Sequence, residues 1–234
     1  MTFKESGKLK AVTFSYDDGA TQDFKLVGLL NKYGLKATFN LNTNKLGGKY
    51  IYIRENFCVP SYKISPEHAK TVYEGHEIAV HTLDHINLTQ QTDEEIIRQV
   101  EEDRKSLSEL MGYEVVGMAY PCGGVNNDDR VAEVIKNNTG VKYCRTTTDT
   151  DSFDLQDNLY RFNPNVFHVH FDRMMDMGRQ FAQLKPDKPQ IYYVWGHSYE
   201  LDFGEDNWNK MEEFCKLISG HDDIFYGTNA EVLL

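Results

Sequence analysis

Strand-like apolar runs that alternate with amphipathic helical stretches from end to end predict an α/β fold, built of βα repeats and closed as a barrel. Two further observations point the same way. The chain has 234 residues, a usual length for one α/β barrel and enough to bury a large core, so a single domain over residues 1–234 is expected. Every chemically suggestive group falls at the C-terminal end of an expected strand: Asp17 and Asp18, His81, the turn over 120–123, Arg145 and His197. In a barrel those ends share one face, the one on which barrel enzymes place their active sites.

The elements follow in order. Residues 9–14 read as a strand, Thr21 caps a helix running to about Tyr33, Gly34 ends it, and 36–41 is the next strand. Residues 50–62, rich in aromatics and containing Pro60, break the rhythm as an inserted loop or hairpin. Ser65-Pro66-Glu67 opens a short helix with proline at its first position, Gly75 closes it, and 76–80 is a strand leading directly into His81. Thr92-Asp93-Glu94-Glu95 is a capping box, behind which Ile96, Ile97, Val100, Leu107 and Leu110 recur at helical spacing until Gly112. Residues 115–120 form a strand, 128–136 a helix, and 141–145 a strand ending in a charge. The polar, Asp-rich stretch 146–165 reads as loop, 166–170 as a strand and 174–184 as a helix. Residues 190–195 are a strand, 206–218 an amphipathic helix closed by Gly220, and 224–226 a last short strand. No linker, low-complexity segment or repeat interrupts this pattern.

Composition narrows the function classes. Hydrophobic residues at 40%, charged at 26% and aromatic at 12% describe an ordered globular protein. The 14 tyrosines and 13 phenylalanines suit a sugar-stacking groove, although core packing also uses them. A net charge of -11 gives no sequence-wide attraction for nucleic acid or an anionic membrane, and a neutral or cationic substrate fits better. No apolar run approaches the roughly 18 residues that span a bilayer, and residues 1–10 have no signal-peptide core. A cytoplasmic protein is therefore expected, or a secreted one if a leader has been removed. Cys58, Cys122, Cys144 and Cys215 form no CxxC pair and read as reduced thiols, mostly buried.

Asp17-Asp18-Gly19 follows an apolar strand and, by itself, equally describes a turn. His81 and His85 give it a chemical partner: four residues apart, they share a face if the segment turns helically and can approach one ion at roughly 2.0 to 2.1 Å. A hard carboxylate and two imidazoles are the ligand types of a catalytic divalent ion, zinc first, with cobalt, nickel and manganese accepting overlapping donors. A second carboxylate beside the ligand can take the proton of a water at the open position. His76 is a rival ligand, but it begins its strand at the far end of the barrel and is expected to be structural. His168 and His170 alternate along an expected strand and face one side; without an acidic partner at ligand spacing, a structural use is expected. His68 and His221 read as surface residues. His197 follows strand 190–195 across Gly196, where a general acid would sit, and Glu200 either orients its ring or faces solvent.

Thr13-Phe14-Ser15-Tyr16-Asp17-Asp18-Gly19, His81-Thr82-Leu83-Asp84-His85, Tyr120-Pro121-Cys122-Gly123 and Trp195-Gly196-His197, in that order, resemble the motifs of the polysaccharide deacetylases, carbohydrate esterase family 4. The resemblance spans nearly the whole chain. It implies a distorted (β/α) barrel with fewer closed strands than the regular eight, and removal of acetyl groups from N-acetylglucosamine polymers or acetylated xylan. It makes Asp17 the base, Asp18, His81 and His85 the metal ligands, and His197 the acid. It also implies that the Tyr120-Pro121-Cys122 turn meets the substrate, with the Cys122 N–H helping to hold the oxyanion, and that Trp195 walls the acetyl pocket.

Two departures stand out. The family's third motif normally begins with an arginine that braces the catalytic aspartate, and this chain has Ala119 there. Arg145, an isolated charge after 141–144, could reach the same carboxylate from another strand. The family's acidic fourth motif has no clean counterpart, and Asp149, Asp151 and Asp154 are all candidates. The expected activity is thus a metal-dependent deacetylase of acetylated carbohydrate. Hydrolysis of another C–N bond in a small metabolite, such as a formamide, cyclic imide or ureide, is the alternative. A non-catalytic carbohydrate-binding relative is a third option, supported by Ala119 and opposed by the intact set of acid, base and ligands.

Overall fold

The computed structural model describes residues 1–54 and 57–234. Its main sheet is parallel throughout and curls into a distorted (β/α) barrel around β1 (Lys10–Asp17). On one side β1 pairs with β2 (Ala37–Leu41) and, near its start, with β10 (Ile224–Tyr226); on the other it pairs with β9 (Gln190–Gly196). Beyond β2 lie β5 (Glu77–Val80), β6 (Gly117–Ala119) and β7 (Tyr143–Arg145), and beyond β9 lies β8 (Val166–Phe167). Between β7 and β9 an irregular segment does the work of a strand. Phe162 N–H donates to Cys144 O and Thr146 N–H to Phe162 O, both at 2.9 Å, and Asn165 N–H donates to Tyr193 O at 2.8 Å.

Strand periodicity sorts the side chains into two populations. Val12, Phe14 and Tyr16 of β1, Phe39 and Leu41 of β2, Ile78 and Val80 of β5, Cys144 of β7, and Tyr192 and Val194 of β9 belong to the main core, packed with helix residues such as Leu26, Leu107, Ile135, Phe181 and Phe214. The alternate residues face the barrel axis, where polar side chains lie beside a smaller apolar cluster that includes Ala11, Ile191 and Tyr193. At the top, Asp17, His81, Arg145 and Trp195 fall in this inward set. Lower down, the axis holds a buried hydrogen-bonded network that α9 (Asn229–Leu233) plugs from below. Glu77 accepts from Thr38 Oγ1 at 2.7 Å, Tyr143 Oη at 2.9 Å and Ala230 N–H at 2.9 Å. Asn229 donates to Thr13 Oγ1 at 2.8 Å and accepts from Tyr193 Oη at 2.6 Å.

Several elements depart from the sequence pattern, each for a tertiary reason. Thr21 does not cap α2 (Asp23–Lys32), whose cap residue Gln22 makes no side-chain bond to the helix backbone. Thr21 is instead tied to the inserted segment, donating its N–H to Tyr62 O at 2.8 Å and accepting from Tyr62 N–H at 3.4 Å. That segment is a hairpin of β3 (Lys49–Arg54) and β4 (Phe57–Tyr62); residues 55–56 lie outside the described residues. It leads into α3 (Pro66–Val72). Half of the capping box at Thr92 forms: Thr92 accepts from Glu95 N–H, while the Glu95 carboxylate pairs with Arg98. The long helix behind it is α4 (Asp93–Ile97), a π turn (Arg98–Glu102) and α5 (Asp103–Met111). α6 (Asp129–Asn138) is capped by Asp128. The strand expected over 166–170 stops at Phe167, and His170 opens α7 (Phe171–Gln183), which packs beside α8 (Asn207–Ile218). A short N-terminal helix, α1 (Phe3–Ser6), and α9 carried no periodic signal long enough to read. Among the described residues no helix is long and apolar enough to cross a membrane.

The axis network yields a stability prediction. Glu77→Ala strands three donors in a buried space and should cost about 2–4 kcal/mol in urea unfolding. A loss within error of zero would mean that the network does not support the barrel.

Candidate active site

The mouth of the barrel is built from turns that L-residues resist. Asp18 (φ 79°), Thr82 (φ 64°), His85 (φ 56°) and Cys122 (φ 70°) are, among the described residues, the non-glycine positions with left-handed backbones. All four sit where β1, β5 and β6 empty into one cleft. Such strain persists only where surroundings over-determine it, and each turn is clamped. Asp18 N–H donates to Asn40 O at 3.0 Å. Asn42, buried, donates its amide to the carbonyls of His81 and, at 2.8 Å, Thr82. Leu83 N–H donates to the carbonyl of Gln99 at 3.1 Å, within the π turn. Asn126 spans the third turn, its amide donating to the carbonyls of Tyr120, Pro121 and Cys122 at 3.4, 3.1 and 2.8 Å.

These turns aim three ligand types at one point: one atom each of Asp18, His81 and His85 lie within 4.8 Å of one another. His81 is the most informative. Its Nδ1 lies 2.9 Å from Ala119 O, so Nδ1 carries the proton and Nε2 presents a lone pair. That Nε2 is buried and has no hydrogen-bond partner among the described residues. Burial, outweighing the neighbouring Asp17, lowers the ring's pKa to about 4 and keeps it neutral, as a ligand must be. Asp103 supports the segment from behind, accepting from His81 N–H at 3.2 Å and from Thr43 N–H at 2.9 Å. This donor set, with an orphaned buried nitrogen at its centre, fits a divalent ion.

Asp17 lies alongside, 2% exposed. Arg145, fully buried, donates from Nη2 to its Oδ1 at 2.6 Å and also contacts Oδ2; Asn40 Nδ2 donates to Oδ1 at 2.7 Å. Burial would raise the carboxyl's pKa, but Arg145, followed by His81 and His197, outweighs burial and holds it below the ordinary range. The guanidinium also meets an aromatic face, its Cζ 4.7 Å from the centre of the Trp195 ring.

His197 faces Asp17 across the cleft, with Nε2 4.0 Å from Oδ2. Glu200 turns back in a capping box, taking His197 N–H and Nδ1 on Oε2, each at 3.1 Å. The same oxygen accepts from His168 Nε2 at 3.0 Å, and His168 Nδ1 lies 3.3 Å from Tyr16 Oη. Burial lowers the His197 pKa, yet Glu200, with Asp17 and Asp18 behind it, raises it to about 9. Glu200 itself is held down at about 2.

The cleft encloses about 540 Å³. Trp195 forms one wall, stacked on Phe167 at 4.4 Å with its Nε1 donating to Asp149 at 2.9 Å. Tyr52 from the hairpin lies flat on Tyr199, with ring centres 3.6 Å apart and planes 4° from parallel, closing the opposite side.

Asp17, Asp18, His81, His85, Tyr120, Cys122, Trp195 and His197 all line this cleft; Pro121 does not, and serves the turn beneath it. Arg145 and Glu200 lie directly behind Asp17 and His197. Of the acidic candidates, Asp149 reaches the site through Trp195, whereas Asp151 pairs with Arg173 and Asp154 with Lys188 at the surface. His76 bonds Ala37 N–H and Asn31, far below. The sequence reading missed Asn40, Asn42, Asp103 and Asn126, and it undervalued His168; buried polar clamps have no local signature that distinguishes them from surface residues.

Arg145→Ala leaves a buried carboxylate without its counter-ion and should destabilise the protein by about 3–5 kcal/mol. Arg145→Lys, which cannot reproduce the planar fork, should recover only part of that. Equal stability of wild type and Arg145→Ala in denaturant titration would contradict the pairing.

A family model described as polysaccharide deacetylase matches residues 4–143. The peptidoglycan-N-acetylglucosamine deacetylase PgdA of Listeria monocytogenes is 27% identical over 146 residues, which are 62% of this chain and 27% of that protein. This chain thus spans about a quarter of that relative's length. A solved Mycobacterium smegmatis protein given the polysaccharide deacetylase description matches with a TM-score of 0.66 over 96% of this chain and 89% of its own, at 15% identity. A family 4 carbohydrate esterase from Streptomyces lividans, solved in complex with acetate, gives 0.56 over 94% and 92%, at 11% identity. Both show a shared fold.

Proposed function

Because this chain belongs to the polysaccharide deacetylase family, we propose that residues 1–234 act as one catalytic domain that hydrolyses acetyl groups from an N-acetylated or O-acetylated carbohydrate, with a divalent ion held by Asp18, His81 and His85. The observation that carries this reading is the buried, unpartnered His81 Nε2 facing two further ligand types. A buried nitrogen left without a partner is costly, and one carboxylate with two imidazoles suits zinc, the ion we favour; cobalt, nickel and manganese accept the same donors. Bound there, such an ion supplies Lewis acidity toward the acyl carbonyl and acidifies a water near neutral pH.

The protein's own groups divide the remaining work. Asp17, kept ionised by Arg145, accepts the proton of the attacking water. The Cys122 backbone N–H, on the turn clamped by Asn126, stabilises the developing oxyanion. His197, kept protonated by Glu200, gives its proton to the departing amine or alcohol. Water has then added to the carbonyl carbon, the C–N or C–O bond is broken, and acetate leaves. Trp195 bounds the space for the acetyl methyl.

The test is acetate release from N-acetyl and O-acetyl oligosaccharides after chelation and readdition of individual metals, beside a panel of small amides. Acetate that appears only with metal supports the reading; formate or ammonia from the amides alone would replace it with hydrolysis of a small metabolite. Asp17→Asn should retain metal and lose about 10²- to 10⁴-fold in kcat.

The pH profile reports on His197. Its protonated form is lost as pH climbs through about 9, so activity should fall on that alkaline side. Glu200→Gln removes the largest upward influence on the ring and should move the alkaline limb to lower pH. A limb that stays in place would remove His197 from the role of acid.

A further inference from the structure

Lys63, just beyond β4, is bolted beside the Asp18 turn by the main chain: its N–H donates to Gly48 O at 2.8 Å, and Ile64 N–H donates to Gly19 O at 2.7 Å. Its side chain is 3% exposed, and its ammonium lies 3.4 Å from Asp18 Oδ1. Among the described residues its other polar partner is the Tyr52 hydroxyl, which accepts from Nζ at 2.9 Å, and the rings of Tyr50 and Tyr52 cover the ammonium at 4.9 and 5.6 Å. Asp23, the next carboxylate, is taken up by Ser198 and Tyr73. Lys63 is not among the residues that line the cleft, so it is not placed to touch a substrate.

The same Asp18 oxygen lies 3.5 Å from His85 Nε2, a second member of the ligand cluster. One carboxylate oxygen therefore faces a fixed monovalent cation on one side and the position of a divalent one on the other. Two cations that share a ligand in a buried setting repel strongly, because little solvent lies between them. A buried ammonium also cannot leave its counter-ion cheaply, since it would then stand unpaired.

We infer that Lys63 competes with the divalent ion for Asp18. It is a positioning residue: it holds the carboxylate in place when the ion is away and weakens the ion's grip when it is bound. The ion is thereby kept exchangeable. This rests on the ligand assignment made above for Asp18, His81 and His85.

The test is the affinity of the metal-free full chain for zinc and for cobalt, measured by competition with a chromophoric chelator. Lys63→Gln is neutral yet can still donate to Asp18 and Tyr52, so it removes the charge and keeps the orientation; it should bind either metal about tenfold or more tighter. Lys63→Arg keeps the charge and should stay within about threefold of wild type. Unchanged or weaker binding by Lys63→Gln overturns the inference. If Lys63→Gln does not fold, Tyr52→Phe serves instead. It removes the ammonium's other polar partner, throws Lys63 more fully onto Asp18, and should weaken metal binding about threefold; unchanged or tighter binding overturns the inference. Wild-type protein that takes up neither metal overturns the ligand assignment itself, a result distinct from normal uptake that the Lys63 variants leave unmoved.

Discussion

Arg145 and Asp17 meet across the inside of the barrel, from strands separated in the sheet by β6, β5 and β2. A guanidinium with no exposure is tolerable only because its charge is met by a carboxylate and its face by Trp195. The consequences spread outward from this contact. It sets the ionisation of Asp17, orients the tryptophan that walls the cleft, and joins β7 to β1 where the curled sheet is closed only by irregular chain. His81, His197 and Asp17 then lie close enough to influence one another's charge, so the site is a single electrostatic unit.

Much of this was legible in the sequence, for one physical reason. A strand's side chains alternate between two environments, and a polar residue that ends an apolar run at the inward phase must do something inside a barrel. Asp17, His81, Arg145 and His197 announce themselves in that way. The framework of strands and helices was readable for the same reason, since apolar periodicity survives in a single sequence.

What escaped detection is the tertiary part. Asn42, Asn126 and Asp103 look like loop and helix-surface residues until folding brings carbonyls or N–H groups to them. Thr21 has the composition of a helix cap, yet the hairpin claims its hydrogen bonds. The long helix after Thr92 has continuous helical spacing, and nothing in that spacing foretells a π turn whose Gln99 carbonyl meets the histidine loop. His168 lacked an acidic neighbour in sequence; its partner, Glu200, arrives from a different strand exit.

The backbone contact between His81 and Ala119 has an evolutionary corollary. Ala119 contributes its main-chain carbonyl to the imidazole, a contact that needs no particular side chain, while the aspartate's counter-ion is supplied from the neighbouring strand. Positive charge beside Asp17 is thus a property of the three-dimensional neighbourhood, not of one column in an alignment. A motif search keyed to an arginine at position 119 would discard this chain as defective, although the guanidinium it seeks is present, one strand over.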